Sequence, residues 1–98
     1  MRPASEINGL TVDYLREYVD NKFTDIIERA AKNGERYVQM EISEQEYFEY
    51  THRNTLLYKV KLIIEEYGYK VHTDRAGVGK NYRTGGYLRY KYFLRITW

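Results

Sequence analysis

Residues 87–98 alternate without a break, and that pattern constrains the fold more than any other. Leu88, Tyr90, Tyr92, Leu94, Ile96 and Trp98 fall on one side of an extended chain; Tyr87, Arg89, Lys91, Phe93, Arg95 and Thr97 fall on the other. Only a strand keeps these two sets apart, because its successive side chains point to opposite faces. One face is apolar and needs a cover. The other mixes cations with aromatic rings. A stretch of this length spans roughly 40 Å, against the usual strand of about 5–6 residues, so it either bends or runs past its own sheet.

The cover is expected from helices. Val12, Leu15, Val19, Phe23, Ile26 and Ala30 recur at steps of 3, 4, 4, 3 and 4, the stripe of an amphipathic helix. Thr11 is placed to cap it, with Asp13 in the first turn, and Gly34 to end it in a left-handed conformation. The only proline, Pro3, and Gly9 precede it. Residues 1–10 therefore read as a flexible N-terminal arm, and residues 11–98 as a single domain. A second helix opens on a capping box, Ser43 with Glu46, with Ile42 and Tyr47 as its hydrophobic staple. Its stripe is Tyr47, Tyr50, Asn54, Leu57, Val60, Ile64 and Tyr67, and Gly68 ends it. The polar run from Thr51 to Thr55 interrupts the stripe, so the helix either kinks there or restarts with Asn54 as a cap. Glu65 and Glu66 fall in the last turn, where the macrodipole disfavours carboxylates.

Two shorter alternations predict the remaining strands. Val38, Met40 and Ile42 oppose Tyr37, Gln39 and Glu41; Tyr69, Val71 and Thr73 oppose Lys70, His72 and Asp74. Residues 75–86 hold four of the seven glycines together with Arg75, Lys80 and Arg83 and keep no apolar period, which predicts a flexible hairpin loop. The order is αβαββ. A right-handed crossover through the second helix makes the first two strands parallel, and the last strand returns antiparallel. The expected fold is α+β: a two-layer domain with two helices packed on one face of a small mixed three-stranded sheet. The opposite face then displays Tyr87, Arg89, Lys91, Phe93 and Arg95.

Residue types exclude much chemistry. The chain has no cysteine, hence no disulfide, thiolate nucleophile or Cys-based zinc site. No apolar run is long enough for a transmembrane span or a secretory signal. His52 and His72 sit in different elements without metal-ligand spacing; His72 reads as an outward strand residue and His52 as a polar helix residue. Ser5 lies in the arm and Ser43 is a cap, so a Ser-His-Asp mechanism lacks a nucleophile. Gly77-Val78-Gly79-Lys80 fails as a phosphate loop, because Asp74 stands where the first glycine belongs and Asn81 follows the lysine. No enzyme, metal or cofactor is expected.

Charge points to binding instead. Residues 1–50 carry 6 Lys/Arg against 11 Asp/Glu, and residues 51–98 carry 10 against 3, a dipole of −5 and +7 hidden in a total of +2. Tyrosine, with 12 copies, supplies contact area with few rotors and a polar tip. The expected partner-binding residues are Arg75, Lys80, Tyr82, Arg83, Tyr87, Arg89, Lys91, Phe93 and Arg95. They suit a protein partner or a second copy in a homo-oligomer, or an anionic ligand or nucleic acid; Lys and Arg on a strand also guard a sheet edge. No RNA-recognition signature is present, and the acidic half repels a long polyanion. A compact anion, a short single strand or an acidic protein patch fits the dipole better. No membrane partner is expected.

Three segments resemble a broad group of small, mostly uncharacterised proteins encoded by tailed bacteriophages: Asp25 to Gly34 (DIIERAAKNG), Ile63 to Val71 (IIEEYGYKV) and Leu94 to Trp98 (LRITW). In that group a helix ending in AAKNG leads into a strand, a helix ending in GYKV leads into another, and a last strand ends near ISW. The likeness covers about half of this chain and specifies no catalytic residue. This chain departs from the pattern in a longer second helix, with Glu46 to Thr55 extra, and in a longer, more basic hairpin. The resemblance implies a virion component or accessory protein, located in the host cytoplasm or the virion. Two functions follow as expectations. The first is a non-enzymatic virion-associated or self-assembling interaction component using the Tyr/Arg-rich last strand. The second is a binding inhibitor of host machinery or defence that engages nucleic acid, a nucleotide signal or a host nucleic-acid enzyme through the basic hairpin.

Overall fold

The strand with two fully buried residues lies at the centre of the sheet. In the computed structural model, which describes residues 4–80, 83 and 85–98 (side chains from 12 onward, except those of 87 and 88), the chain forms α1 (Ala4–Lys32), β1 (Tyr37–Ile42), α2 (Glu44–Thr51), α3 (Leu56–Glu66), β2 (Lys70–Lys80) and β3 (Tyr87–Thr97). The strand order is β1-β3-β2, with β3 antiparallel to both neighbours. The protein is thus α+β, but the sheet is wholly antiparallel rather than mixed, and three helices accompany it rather than two. β1 and β2 do run in the same direction, as the crossover requires. They are not neighbours because β3 holds the fully buried Leu94 and Ile96, whereas β1 and β2 bury one residue each, Val38 and Val71. The strand with most apolar surface to hide takes the middle.

Helix α1 begins at Ala4, so residues 4–10, expected as an arm, are helical. Gly9 inside a helix costs only about 1 kcal/mol, too little to stop a helix that continues into a packed stripe. The buried line of α1 is Leu15, Val19, Phe23, Ile27 and Ala30. Ile27 replaces the expected Ile26, which is 42% exposed, as is Val12. Steps of four drift about 40° around the helix, and α1 follows that drift to stay against α3 and β1. Gly34 takes φ +82 and closes a full Schellman motif, with its N–H on Ala31 O and the Glu35 N–H on Ala30 O, both at 3.0 Å.

The capping box forms as read: Glu46 N donates to Ser43 Oγ and Ser43 N to Glu46 Oε1, both at 3.1 Å. The polar run splits the second helix outright. Thr55, not Asn54, caps α3: its hydroxyl accepts from Tyr58 N at 3.2 Å and donates to His52 O at 2.9 Å and to Glu49 O. Glu66, unfavourable at a helix C-terminus by itself, is held by Arg16 of α1 at 2.6 Å, and Lys61 lies 3.9 Å from Glu65. That carboxylate holds the Arg16 guanidinium above its usual pKa through the hydrogen bond between them.

The core joins the three helices to one face of the sheet. Leu15, Val19, Phe23, Ile27, Tyr50, Val60, Ile63 and Ile64 pack with Val38, Val71, Leu94 and Ile96. The molecule is nevertheless long, 59 × 38 × 17 Å with a radius of gyration of 16.8 Å, against roughly 13 Å for a compact chain of this length. The length comes from α1, about 43 Å by its helical rise, and from a strand pair that overhangs the sheet.

Candidate partner-binding surface

That overhang puts strand, as far as Lys80, into the stretch 75–86 expected as a flexible loop. β2 continues through Arg75, Ala76, Gly77, Val78 and Gly79 to Lys80, in register with β3 as Arg75↔Tyr92, Ala76↔Lys91, Gly77↔Tyr90, Val78↔Arg89 and Lys80↔Tyr87. Strand propensity is contextual. Here the long β3 supplies the hydrogen-bonding partner that a glycine-rich segment lacks alone, and Gly79 (φ +72) absorbs a left-handed kink that a side chain would resist. β1 meets β3 only over Tyr92–Thr97, so β3 runs past its own sheet, one of the two outcomes its length allowed. Residues 75–80 and 87–91 form a two-stranded ribbon.

Register sorts the expected site residues by face, because directly opposed residues of an antiparallel pair share a side. One face carries Tyr37, Gln39 and Glu41 from β1, Arg89, Lys91, Phe93 and Arg95 from β3, and Lys70, His72, Asp74, Val78 and Lys80 from β2. All of these are exposed or half-buried. The backbone of Tyr87 pairs with Lys80, and its side chain falls outside the described ones. Arg75 is not on this face: it opposes Tyr92 on the helix-facing side, where its guanidinium stacks 4.8 Å from the ring centre of Tyr90. Arg83 lies exposed in the turn, and Tyr82 falls outside the described residues. The nine expected residues thus do not form one surface. Lys80, Arg89, Lys91, Phe93 and Arg95 share a face, and Arg75 is on the reverse.

The shared face is not uniformly cationic. Phe93 stands between Glu41 and Asp74 in a single cross-strand row. In the next row Arg95 is held in place: Gln39 Oε1 accepts from both its Nη2 (3.0 Å) and Nε (3.3 Å), and its guanidinium lies 5.1 Å from the centre of the Tyr37 ring. The outward parity of Tyr37 and Gln39 was readable in the sequence, but their service to Arg95 depends on register. Beyond Phe93 the ribbon carries Arg75, Lys80, Arg89 and Lys91 and no carboxylate.

No family model, curated protein or solved structure matches the chain. Where the ribbon leaves the sheet, the helix-facing side of β3 is fastened to α2 by rings: Tyr92 and Tyr47 lie 4.8 Å apart between centres, and Tyr47 and Phe48 5.7 Å. Partial burial, then the Glu44 carboxylate, raises the Tyr92 phenol above its ordinary pKa. Among the described residues no group of three or more His, Asp or Glu converges as a metal site, and no helix is long and apolar enough to cross a membrane.

Proposed function

We propose that this chain is a non-enzymatic protein-interaction component, an accessory or virion-associated protein of a tailed bacteriophage, that grips its partner with the open face and edge of the β2–β3 ribbon. The observation that carries this reading is the overhang. A basic, aromatic strand pair projects past the sheet that anchors it, with Arg89 and Lys91 exposed and Arg95 held by Gln39 and Tyr37. A projecting strand pair is open to contact with another protein, and Arg95 beside it, already held, has little freedom left to lose on binding. The resemblance of the AAKNG and GYKV segments supports the phage origin and, with it, a place in the host cytoplasm or the virion.

Affinity capture from infected host cells tests this, run in parallel with wild-type protein and with Arg89→Glu/Lys91→Glu. A partner retained by the first and lost by the second, with both proteins folded, supports the proposal. Equal capture by both would remove it. Light scattering tests the self-assembling form, which requires a mass that rises with concentration.

The run of ribbon cations without a carboxylate favours a second reading, an inhibitor that binds a polyanion. Against it, Glu41 and Asp74 flank Phe93, the ring on which a base would stack, and would repel the adjoining phosphates. Retention on single-stranded DNA that falls steeply with salt would favour this reading.

A further inference from the structure

We propose that β3 binds an extended acidic segment of its protein partner by strand addition along the edge left open at Tyr87–Lys91. The inference rests on the ribbon being the partner surface and specifies how that surface is used.

The edge exists because of a helix cap. β1 ends at Ile42, opposite Tyr92, where Ser43 turns the chain to cap α2. β3 continues through Lys91, Tyr90 and Arg89 to Tyr87 with β2 on one side and, among the described residues, no strand on the other. A strand edge presents backbone donors and acceptors in the spacing that another strand needs.

The side chains along this edge choose the occupant. Arg89 and Lys91 are exposed on the open face, and Tyr90, 40% exposed, is on the reverse. The nearest register partners on β2 are Ala76, Gly77 and Val78, which offer no carboxylate. A second copy is disfavoured. Pairing two such edges antiparallel about Arg89 sets Arg89 against Arg89, and pairing them about Tyr90 sets Arg89 against Lys91. Like charges directly opposed destabilise a strand pair, and opposite charges stabilise it. The complementary strand therefore carries carboxylates opposite Arg89 and Lys91. Between them it carries an apolar residue opposite Tyr90, continuing the line that Ile42 starts opposite Tyr92.

The test is fluorescence anisotropy with a labelled, end-capped peptide of about four Glu-Val repeats, long enough to cover the open edge with a residue to spare at each end, beside a Lys-Val peptide, an oligo-Glu peptide and a Glu-Val peptide N-methylated along one edge. Amide hydrogen exchange at Arg89 to Lys91 is followed in the same samples. Saturable binding of Glu-Val is expected, with slowed exchange at those amides. N-methylation or Arg89→Glu/Lys91→Glu should weaken it by at least about tenfold, and Lys-Val should bind only the charge-reversed variant. The N-methylated peptide keeps the test decisive should the double variant fail to fold. Equal binding of oligo-Glu without slowed exchange would overturn strand addition while leaving the ribbon as the partner surface. Absence of peptide binding, with partner capture still dependent on Arg89 and Lys91, would overturn the acidic strand alone. Loss of both overturns both. Slowed exchange that follows protein concentration without peptide would name a second copy as the occupant and overturn the acidic one.

Discussion

Arg75 lies over the ring of Tyr90, 4.8 Å from its centre, on the side of the ribbon that faces the helices. Arg89 and Lys91, which belong to the same basic stretch, lie on the other side. The two sides should therefore respond differently to substitution. Arg75→Ala removes a cation–π contact worth about 0.5–1 kcal/mol at an exposed site, so it should lower the urea midpoint slightly and leave partner capture intact. Arg89→Glu/Lys91→Glu should keep the midpoint and lose the partner. Denaturation and capture on both variants check this, and reversed behaviour would show that the faces are assigned wrongly.

The adjacent pair Ile26 and Ile27 tests the rotation of α1. Ile27 is 8% exposed and Ile26 42%. Ile27→Ala should cost about 2–5 kcal/mol through lost contacts and a cavity, and Ile26→Ala a small fraction of that. Comparable losses in urea unfolding would contradict the packing of α1 described above.

The break between α2 and α3 depends on its caps. Ser43→Ala and Thr55→Ala should each destabilise the protein by about 1 kcal/mol, with Thr55→Ala the larger because its hydroxyl also holds the His52 and Glu49 carbonyls. Asn54→Ala should change little. A midpoint that moves with Asn54 and not with Thr55 would place the cap one residue earlier.

Tyr50 ties stability to alkaline pH. It is 1% exposed, and burial raises its phenol well above the ordinary value. The folded state therefore keeps a proton that the unfolded chain releases near pH 10. This contribution is intact below about pH 10 and is lost as pH rises further, at up to about 1.4 kcal/mol per pH unit. Tyr50→Phe should flatten that alkaline decline relative to wild type while preserving the neutral-pH fold. Parallel curves from pH 9 to 12 would show that Tyr50 ionises freely in the folded protein.

Much of the fold was legible because it is written in local periods. The alternation of β1 and β3, the Ser43–Glu46 box, the left-handed Gly34 and the helix end at Gly68 each depend on a few neighbouring residues, and each stands in the structure as read. The errors share another origin. Gly9 and the glycines of residues 75–80 look like breakers in isolation, yet a continuing helix and a long hairpin partner overcome their modest cost. The resolving partner of Glu66, Arg16, is fifty positions away and could not be found by local reading.

The sequence by itself determined the stretches whose period is unbroken, namely β1, the start of β2, β3 and the body of α1, and which residues of β3 face the core, because periods of 2 and 3.6 are properties of the backbone alone. Tertiary structure decided that β3 is central, that Arg75 turns away from Arg89 and Lys91, and that β3 overhangs β1. Those outcomes depend on which strands compete to bury the most apolar surface and on the register of pairing between residues far apart in the chain, and no local pattern records either.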